Sequence, residues 1–173
     1  MATKKTPVVS EKRLDPKKRR RARKHEVFRI EDVPRVEWRA GDKYGGVVRS
    51  LGEFGRSERM GVVMEEVMPG RWSSTFHWHT LEEEHVWVLE GSGVMRIGER
   101  EIPVRAGSYV VFPPGGKVAH ATHNTGKKPL RIVVIGTREP NDVCVYPDSG
   151  KVLVRGLGKV GRLTVADYWD GEL

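Results

Sequence analysis

Two histidines separated by one tryptophan, His77-Trp78-His79, constrain this chain more than any other part of its sequence. Residues i and i+2 of a β-strand point to the same face, so both imidazoles can reach one metal ion. Glu84 follows five positions after His79, and Gly91, a predicted hairpin turn, comes after six further residues. Imidazole nitrogens with one carboxylate oxygen suit iron, manganese, zinc, nickel or cobalt, and do not suit calcium or magnesium. The run therefore predicts a site on β-strands for one divalent transition metal, whose identity the ligands do not distinguish.

The composition predicts many short strands joined by tight turns. The chain has 173 residues, and its 20 Gly and 10 Pro are scattered among short apolar runs, which is typical of all-β barrels. No apolar stripe of 3.6-residue period is long enough to predict a substantial helix, and only a helical turn is expected, near Ile30–Val33. The predicted strands are Arg59–Met68, His85–Glu90, Gly93–Ile97, Glu101–Val104, Ser108–Phe112, Ala119–Asn124, Leu130–Gly136 and, as the last strand of the barrel, Val143–Tyr146.

A second run, Gly107 to Asn124, contains a Pro-Pro-Gly-Gly turn just ahead of His120. Together the two runs resemble the two sequence signatures of the cupin superfamily. The matching residues are Gly70, His77, His79, Glu84 and Gly91 in the first signature, and Gly107, Pro113, Gly115, His120 and Asn124 in the second. The departures are one extra residue between Gly70 and His77, and a gap of four residues rather than two between Gly115 and His120.

The resemblance implies the fold and the ligand set. The fold is an all-β double-stranded β-helix, a jelly-roll barrel. The metal ligands are His77, His79, Glu84 and His120. Three histidines and one glutamate leave about two positions open in an octahedral ion, where a substrate or dioxygen would bind.

Strand alternation separates these ligands from other histidines nearby. If Glu84 faces the inside of the barrel, the adjacent His85 faces outward, and if His120 faces inward, His123 faces outward. His85 and His123 are therefore expected to be packing or surface histidines. Asn124 is expected to be structural, as an asparagine that begins a turn and bonds its own backbone.

Two other carboxylates, Glu82 and Glu83, compete with Glu84 for the ligand role. Glu84 is preferred because it alone leaves six residues before Gly91.

The positive charge of the chain is confined to its first residues. Residues 1–24 carry eleven Lys or Arg against Glu11 and Asp15, which gives +9, whereas the remainder has 20 basic and 21 acidic residues, which gives −1. The sequence predicts a disordered basic tail over residues 1–26 and a single cupin domain over 27–173. Residues 1–24 could bind a phosphate backbone weakly, but no aromatic residues interleave the charges, so a solubilising extension is favoured over a nucleic-acid contact.

Several features bear on location and partners. Cys144 is the sole cysteine, so an internal disulfide is excluded, and it is expected to fill the core. No apolar run is long enough for a transmembrane helix, and the first residues lack the apolar region of a secretory signal, so a cytoplasmic protein without a membrane partner is expected. The cupin resemblance also implies a homodimer and a small-molecule substrate.

From about Val27 to Leu173 the chain looks like a bacterial group of small single-domain cupins provisionally labelled sugar-phosphate isomerases. The residues that carry this narrower resemblance are Pro69–Ser74, His77–His79, Val88–Gly91, Tyr146–Ser149 and Asp167–Glu172.

Three functions remain open at the level of sequence. The first is a metal-dependent isomerase of a phosphorylated sugar, which needs a base besides the ligands and a cationic phosphate site. The second is an iron- or manganese-dependent dioxygenase or decarboxylase of a small organic acid. The third is a non-enzymatic small-molecule-binding module whose tail contacts nucleic acid. The candidates for the base and the phosphate site of the isomerase are Glu66, Arg49, Arg96 and Arg131.

Overall fold

The structure is a computed structural model that describes residues 26–172. The basic segment 1–24 lies outside the described residues, so the predicted disorder of the tail stays a prediction. The described chain forms thirteen strands and one short α-helix, α1 (Leu51–Phe54). The strands are β1 (Val36–Ala40), β2 (Tyr44–Ser50), β3 (Met60–Val67), β4 (Trp78–His79), β5 (Glu84–Glu90), β6 (Ser92–Ile97), β7 (Arg100–Arg105), β8 (Tyr109–Phe112), β9 (His120–His123), β10 (Leu130–Thr137), β11 (Val143–Tyr146), β12 (Lys151–Val154) and β13 (Lys159–Gly161).

The strands form two facing layers. One is a six-stranded sheet in the order β1-β2-β3-β10-β5-β8, with every neighbouring pair antiparallel. The other combines β13-β12-β11-β4 and β7-β6-β9, which are joined where His77 pairs with His120. The predicted all-β barrel of jelly-roll type is confirmed. The turn expected near Ile30–Val33 is also present, as a 3-10 helix over Ile30–Asp32.

The core lies between the layers, and strand alternation builds it. In β5, Val86 and Val88 are buried while Trp87 between them is 46% exposed, as predicted from Glu84 facing inward. The inward side chains pack with Met95 of the opposite layer. Burying an aliphatic side chain of this size contributes about 1.5–3 kcal/mol, so this cluster fixes which face of each strand points inward. The buried cluster consists of Val67, Val86, Val88, Met95, Phe112, Leu130 and Ile132.

The turn between β5 and β6 requires glycine. Gly91 has a φ of 86°, and a Cβ atom there would lie 2.9 Å from the carbonyl oxygen of Pro129. Any other residue would be both strained and crowded. The predicted hairpin turn is confirmed, and it sets the register of the strand that carries Glu84.

One strand prediction is wrong. Val143–Tyr146 was expected to be the last strand of the barrel, but β12 and β13 follow it and extend the same sheet. The chain reverses after β11 through a 3-10 helix ending at Gly150, whose φ is 60°. Within the described residues, no helix has the length and apolar character needed to cross a membrane.

Candidate metal centre

The pairing of two chain segments brings the first predicted ligands together. The backbone N–H of His77 donates to the carbonyl oxygen of His120 at 3.2 Å, and the N–H of His120 donates to that of His77 at 2.8 Å. Residues directly opposite each other in an antiparallel pair present their side chains to the same face. The centroids of the two imidazole rings are accordingly 4.8 Å apart.

Glu84, at the start of β5, completes the group. His77, Glu84 and His120 each offer one ligand atom, and these atoms lie within 4.8 Å of one another. His120 Nε2 is 2.9 Å from Glu84 Oε1, and His79 Nε2 is 3.9 Å from Glu84 Oε2. Ligand atoms that share one ion at about 2.1 Å are themselves about 3–4 Å apart. The donor set and spacing of His77, Glu84 and His120 therefore fit a divalent transition metal. His79, the fourth predicted ligand, lies beside Glu84, and its ligand role stays a prediction.

Hydrogen bonds orient two of the imidazoles. The Nδ1–H of His77 donates to the carbonyl oxygen of Thr75 at 2.7 Å, which leaves Nε2 free to coordinate. The Nδ1–H of His79 donates to Oδ2 of Asp142 at the same distance. Such partners fix the tautomer and ring orientation of a ligating histidine. His120 is held differently, because the ring of Phe112 stacks on it with a centroid separation of 3.6 Å.

Sequence reasoning missed Asp142. Its side chain is completely buried, and it also accepts hydrogen bonds from the backbone N–H of Leu81 at 3.0 Å and the hydroxyl of Thr80 at 3.2 Å. Although burial opposes ionisation, the hydrogen bonds from His79 and Leu81 lower the pKa of Asp142. A single aspartate in the loop before β11 carries no spacing signal, so no motif could have identified it.

The pKa shifts of His77 and Glu84 match what a metal requires. Burial lowers the pKa of His77 to about 4, despite the nearby negative charge of Glu84. Burial also acts to raise the pKa of Glu84, but the hydrogen bond from His120 and the favourable electrostatic interactions with the neighbouring imidazoles outweigh it and lower that pKa. A neutral imidazole and an ionised carboxylate are the forms that coordinate metal.

Of the residues predicted not to be ligands, His85 and His123 lie away from the site, whereas Glu82 lies beside it, 3.5 Å from His79 Nδ1. His85 is bonded to Glu83 at 2.9 Å and to the hydroxyl of Tyr109, on the outer face of β5. The ring of His123 stacks on Trp72 with a centroid separation of 4.4 Å. Glu82 is buried but accepts hydrogen bonds from the backbone N–H of Glu139 and from Arg155.

The cationic candidates from the sequence are engaged with other groups. Arg49 donates to the carbonyl oxygen of Val33. Arg96 forms a bidentate pair with Asp148 at 2.7 and 3.0 Å. Arg131 bonds Glu90 at 2.8 Å and lies 3.9 Å from Glu66. Glu66 therefore lies with Arg131 and Glu90 on the outer face of the sheet. It is not placed to act as a base inside the barrel.

The neighbouring residue, Glu65, faces the interior. It is opposite Ile132, which in turn is opposite Val88, and both belong to the core cluster. Its side chain is 6% exposed, and neither its Oε1 nor the indole N–H of Trp38 has a hydrogen-bond partner among the described residues. Burial raises the pKa of Glu65 to about 8; the nearby indole N–H of Trp38, although outside hydrogen-bond geometry, opposes the rise, and the charge of Glu84 adds to it. A carboxyl group that is protonated near neutral pH thus lies inside the barrel.

A pocket opens beside the predicted ligands. It is lined by Trp78, His79, Glu82, Glu84, Phe112, Pro113, Gly116, Lys117, Val118 and His120. A small molecule in this pocket would therefore touch both the candidate metal centre and the loop that precedes β9.

Comparison with known proteins agrees with this architecture. A sequence model of the family described as Cupin domain matches residues 63–136. A protein from Acidithiobacillus ferrooxidans, provisionally named a sugar phosphate isomerase, has a solved structure that is 33% identical, with a TM-score of 0.66. The match covers 71% of this chain and 81% of that protein. The chain belongs to the cupin family.

Three further relatives place this cupin in context. A sugar phosphate isomerase of the cupin superfamily from Silicibacter pomeroyi is 25% identical, with a TM-score of 0.72 over 81% of this chain and 98% of that one. Auxin-binding protein 1 of Arabidopsis thaliana is 30% identical over 118 residues, which are 63% of this chain and 55% of the plant protein. A match to an uncharacterized protein of Methanocaldococcus jannaschii covers 58% of the length of that protein. This cupin thus spans little more than half of the curated relatives it matches.

Proposed function

We propose that this cupin is a metal-dependent isomerase of a phosphorylated sugar. The observation that carries the proposal is the meeting of His77, Glu84 and His120 within 4.8 Å beside an open pocket. The names of the relatives from A. ferrooxidans and S. pomeroyi support the choice of reaction. When bound, the metal would act as a Lewis acid that polarises the carbonyl group of the substrate.

Side chains of the protein supply the other requirements of the reaction. His77, His79, Glu84 and His120 would hold the metal, while Thr75 and Asp142 would keep two of the imidazoles in the coordinating tautomer. The apolar side chains around Val86 and Val88 keep the interior dry, which strengthens electrostatic interactions there.

Glu65 replaces Glu66 as the candidate for proton transfer. An aldose–ketose interconversion moves one proton between neighbouring carbons and another between their oxygens, so it needs a group that can both accept and donate a proton. Glu65 is a buried carboxyl whose pKa of about 8 lies near neutral pH, which is the range in which general acid–base catalysis is efficient.

The test is proton exchange rather than product formation alone. The bound metal is identified by mass spectrometry, and the metal-loaded protein is then incubated in D2O with aldose and ketose phosphates. We expect NMR to show deuterium incorporation at the carbon beside the carbonyl, which is lost in Glu65→Gln and kept in Glu66→Gln. If no sugar phosphate incorporates deuterium, the isomerase proposal is wrong.

The same preparation tests the other functions. Oxygen uptake or carbon dioxide release with small organic acids, on an iron- or manganese-loaded protein, would favour the dioxygenase or decarboxylase. Binding of a small molecule without any turnover, together with salt-dependent retention on DNA that requires residues 1–24, would favour the non-enzymatic module.

A further inference from the structure

The loop between Gly115 and His120 is where this cupin departs most from the family signature, because it has four residues where two are usual. Both ends of the loop are fixed to the barrel. The backbone N–H of Gly115 donates to the carbonyl oxygen of His79 at 3.0 Å, and the carbonyl oxygen of Ala119 accepts from the N–H of Gly98 at 2.8 Å. The extra length is therefore confined to Gly116, Lys117 and Val118, all of which line the pocket beside the predicted ligands.

Lys117 differs from every other residue of that lining. It is the one lysine or arginine among the residues around the pocket. Its φ is 52°, a left-handed conformation that lysine rarely adopts and that costs free energy. Strained backbone of this kind occurs preferentially at binding and active sites.

The charge of Lys117 is also uncompensated within the described chain. No carboxylate of residues 26–172 lies within ion-pair distance of it, whereas Arg96, Arg131 and Arg155 all have acidic partners. The lysine is exposed at the pocket, two residues after Gly115, whose N–H donates to the carbonyl oxygen of His79. An ammonium group with free donors is suited to a phosphate group, which it binds as a point charge.

We infer that Lys117, placed by the lengthened loop, binds the phosphate group of the substrate and so selects phosphorylated over free sugars. The inference rests on the proposed function and supplies the cationic site that Arg49, Arg96 and Arg131 do not provide. The inference also assigns a role to the departure from the family signature. The added residues place a positive charge at the pocket, while His120 keeps its position in β9.

The experiment measures affinity, so that it does not depend on turnover. Metal-loaded full-length protein is titrated by calorimetry with glucose 6-phosphate, fructose 6-phosphate, ribose 5-phosphate and the three free sugars. The variants are Lys117→Met, Lys117→Arg, which keeps the charge, and Lys127→Met, a matched change of an exposed lysine beyond the other end of β9. Far-ultraviolet circular dichroism and metal content check that each variant is folded and loaded.

We expect Lys117→Met to weaken binding of a sugar phosphate about tenfold to a hundredfold, the effect of one charge-assisted contact. Its affinity for free sugars should not change, Lys117→Arg should restore most of the loss, and Lys127→Met should resemble the wild type. Because the contact is between exposed charges, wild-type affinity should fall with added salt more steeply than that of Lys117→Met.

Failures of the two proposals are distinguishable. Lys117-dependent binding without any deuterium exchange would refute the isomerase and leave the phosphate site standing. Exchange with unchanged affinity in Lys117→Met, or an equal loss for free and phosphorylated sugars, would refute the phosphate site alone. If none of the three sugar phosphates binds, both are wrong.

Discussion

The Nδ1–H group of His79 donates to Oδ2 of Asp142 across 2.7 Å, although the two residues are 63 positions apart in the chain. This bond leaves Nε2 of His79 facing Glu84. An asparagine at position 142 could turn its amide N–H toward Nδ1 and so favour the tautomer whose Nε2 carries the proton. We therefore predict that Asp142→Asn weakens metal affinity by about 10- to 100-fold, which is measured by competition with a chromophoric chelator.

Asp148→Asn is the matched control for this change. Asp148 also accepts hydrogen bonds from a side-chain nitrogen donor, Arg96, but it lies on the surface. Its removal should leave metal affinity unchanged. Equal affinities in Asp142→Asn and the wild type would show that Asp142 does not orient a ligand.

The ligand assignment itself makes a second prediction. His77→Ala or His79→Ala should reduce the metal content of the purified protein severely, because each removes a coordinating nitrogen. His123→Ala should retain the metal, since its ring stacks on Trp72 instead of facing the site. Elemental analysis of the three variants decides the matter, and similar metal content in all of them would reject the assignment.

The sequence was sufficient to predict strands and ligands where turn residues mark the ends of the strands clearly. Glycine and proline mark the ends of the strands around Gly91 and Pro113, and alternation then places Glu84 and His120 on the inner face. The predicted strand Val143–Tyr146 matches β11 in both bounds. Ligands on such strands are recognisable because their spacing follows directly from the two-residue period of a strand.

The sequence was insufficient to predict which side chains face the interior where both faces of a strand are covered. Met64 and Glu65 are adjacent in β3 and therefore face opposite ways, yet their exposures are 4% and 6%. Without a solvent-facing side the two-residue pattern is lost, which is why Glu66 could be mistaken for an inner residue. Asp142 was missed for another reason, because only the folded chain brings it to His79.

Asn124 gives a test of stability. It is fully buried, its amide donates to the carbonyl oxygens of Val67 and Lys128 at 2.7 and 2.8 Å, and its Oδ1 accepts from the N–H of Gly126 at 2.9 Å. Its predicted structural role is borne out by the last of these bonds. Asn124→Ala would leave these backbone groups unsatisfied, at about 1–3 kcal/mol for each one that stays buried. We expect a loss of several kcal/mol in urea denaturation, and a loss below about 1 kcal/mol would contradict it.

Glu65 gives a pH dependence whose sign can be worked out. Burial raises its pKa from 4.5 to about 8 in the folded protein, so between these pH values the folded chain holds a proton that the unfolded chain has released. The free energy of unfolding should therefore fall by about 1.4 kcal/mol per pH unit as the pH rises through this window. In Glu65→Gln this contribution is absent. We expect the stability of the variant relative to the wild type to increase steadily from pH 5 to pH 8, measured by urea denaturation of the metal-free proteins.

Glu66→Gln controls for the loss of a carboxylate from the same strand. Glu66 lies on the outer face 3.9 Å from Arg131, so its substitution should leave the difference from the wild type almost constant over this pH range. The metal centre is common to all three proteins, so its contribution cancels in the differences. A Glu65→Gln difference that is flat between pH 5 and pH 8 would mean that Glu65 is ionised inside the barrel. Its assignment would then lose the support of a pKa near neutral pH.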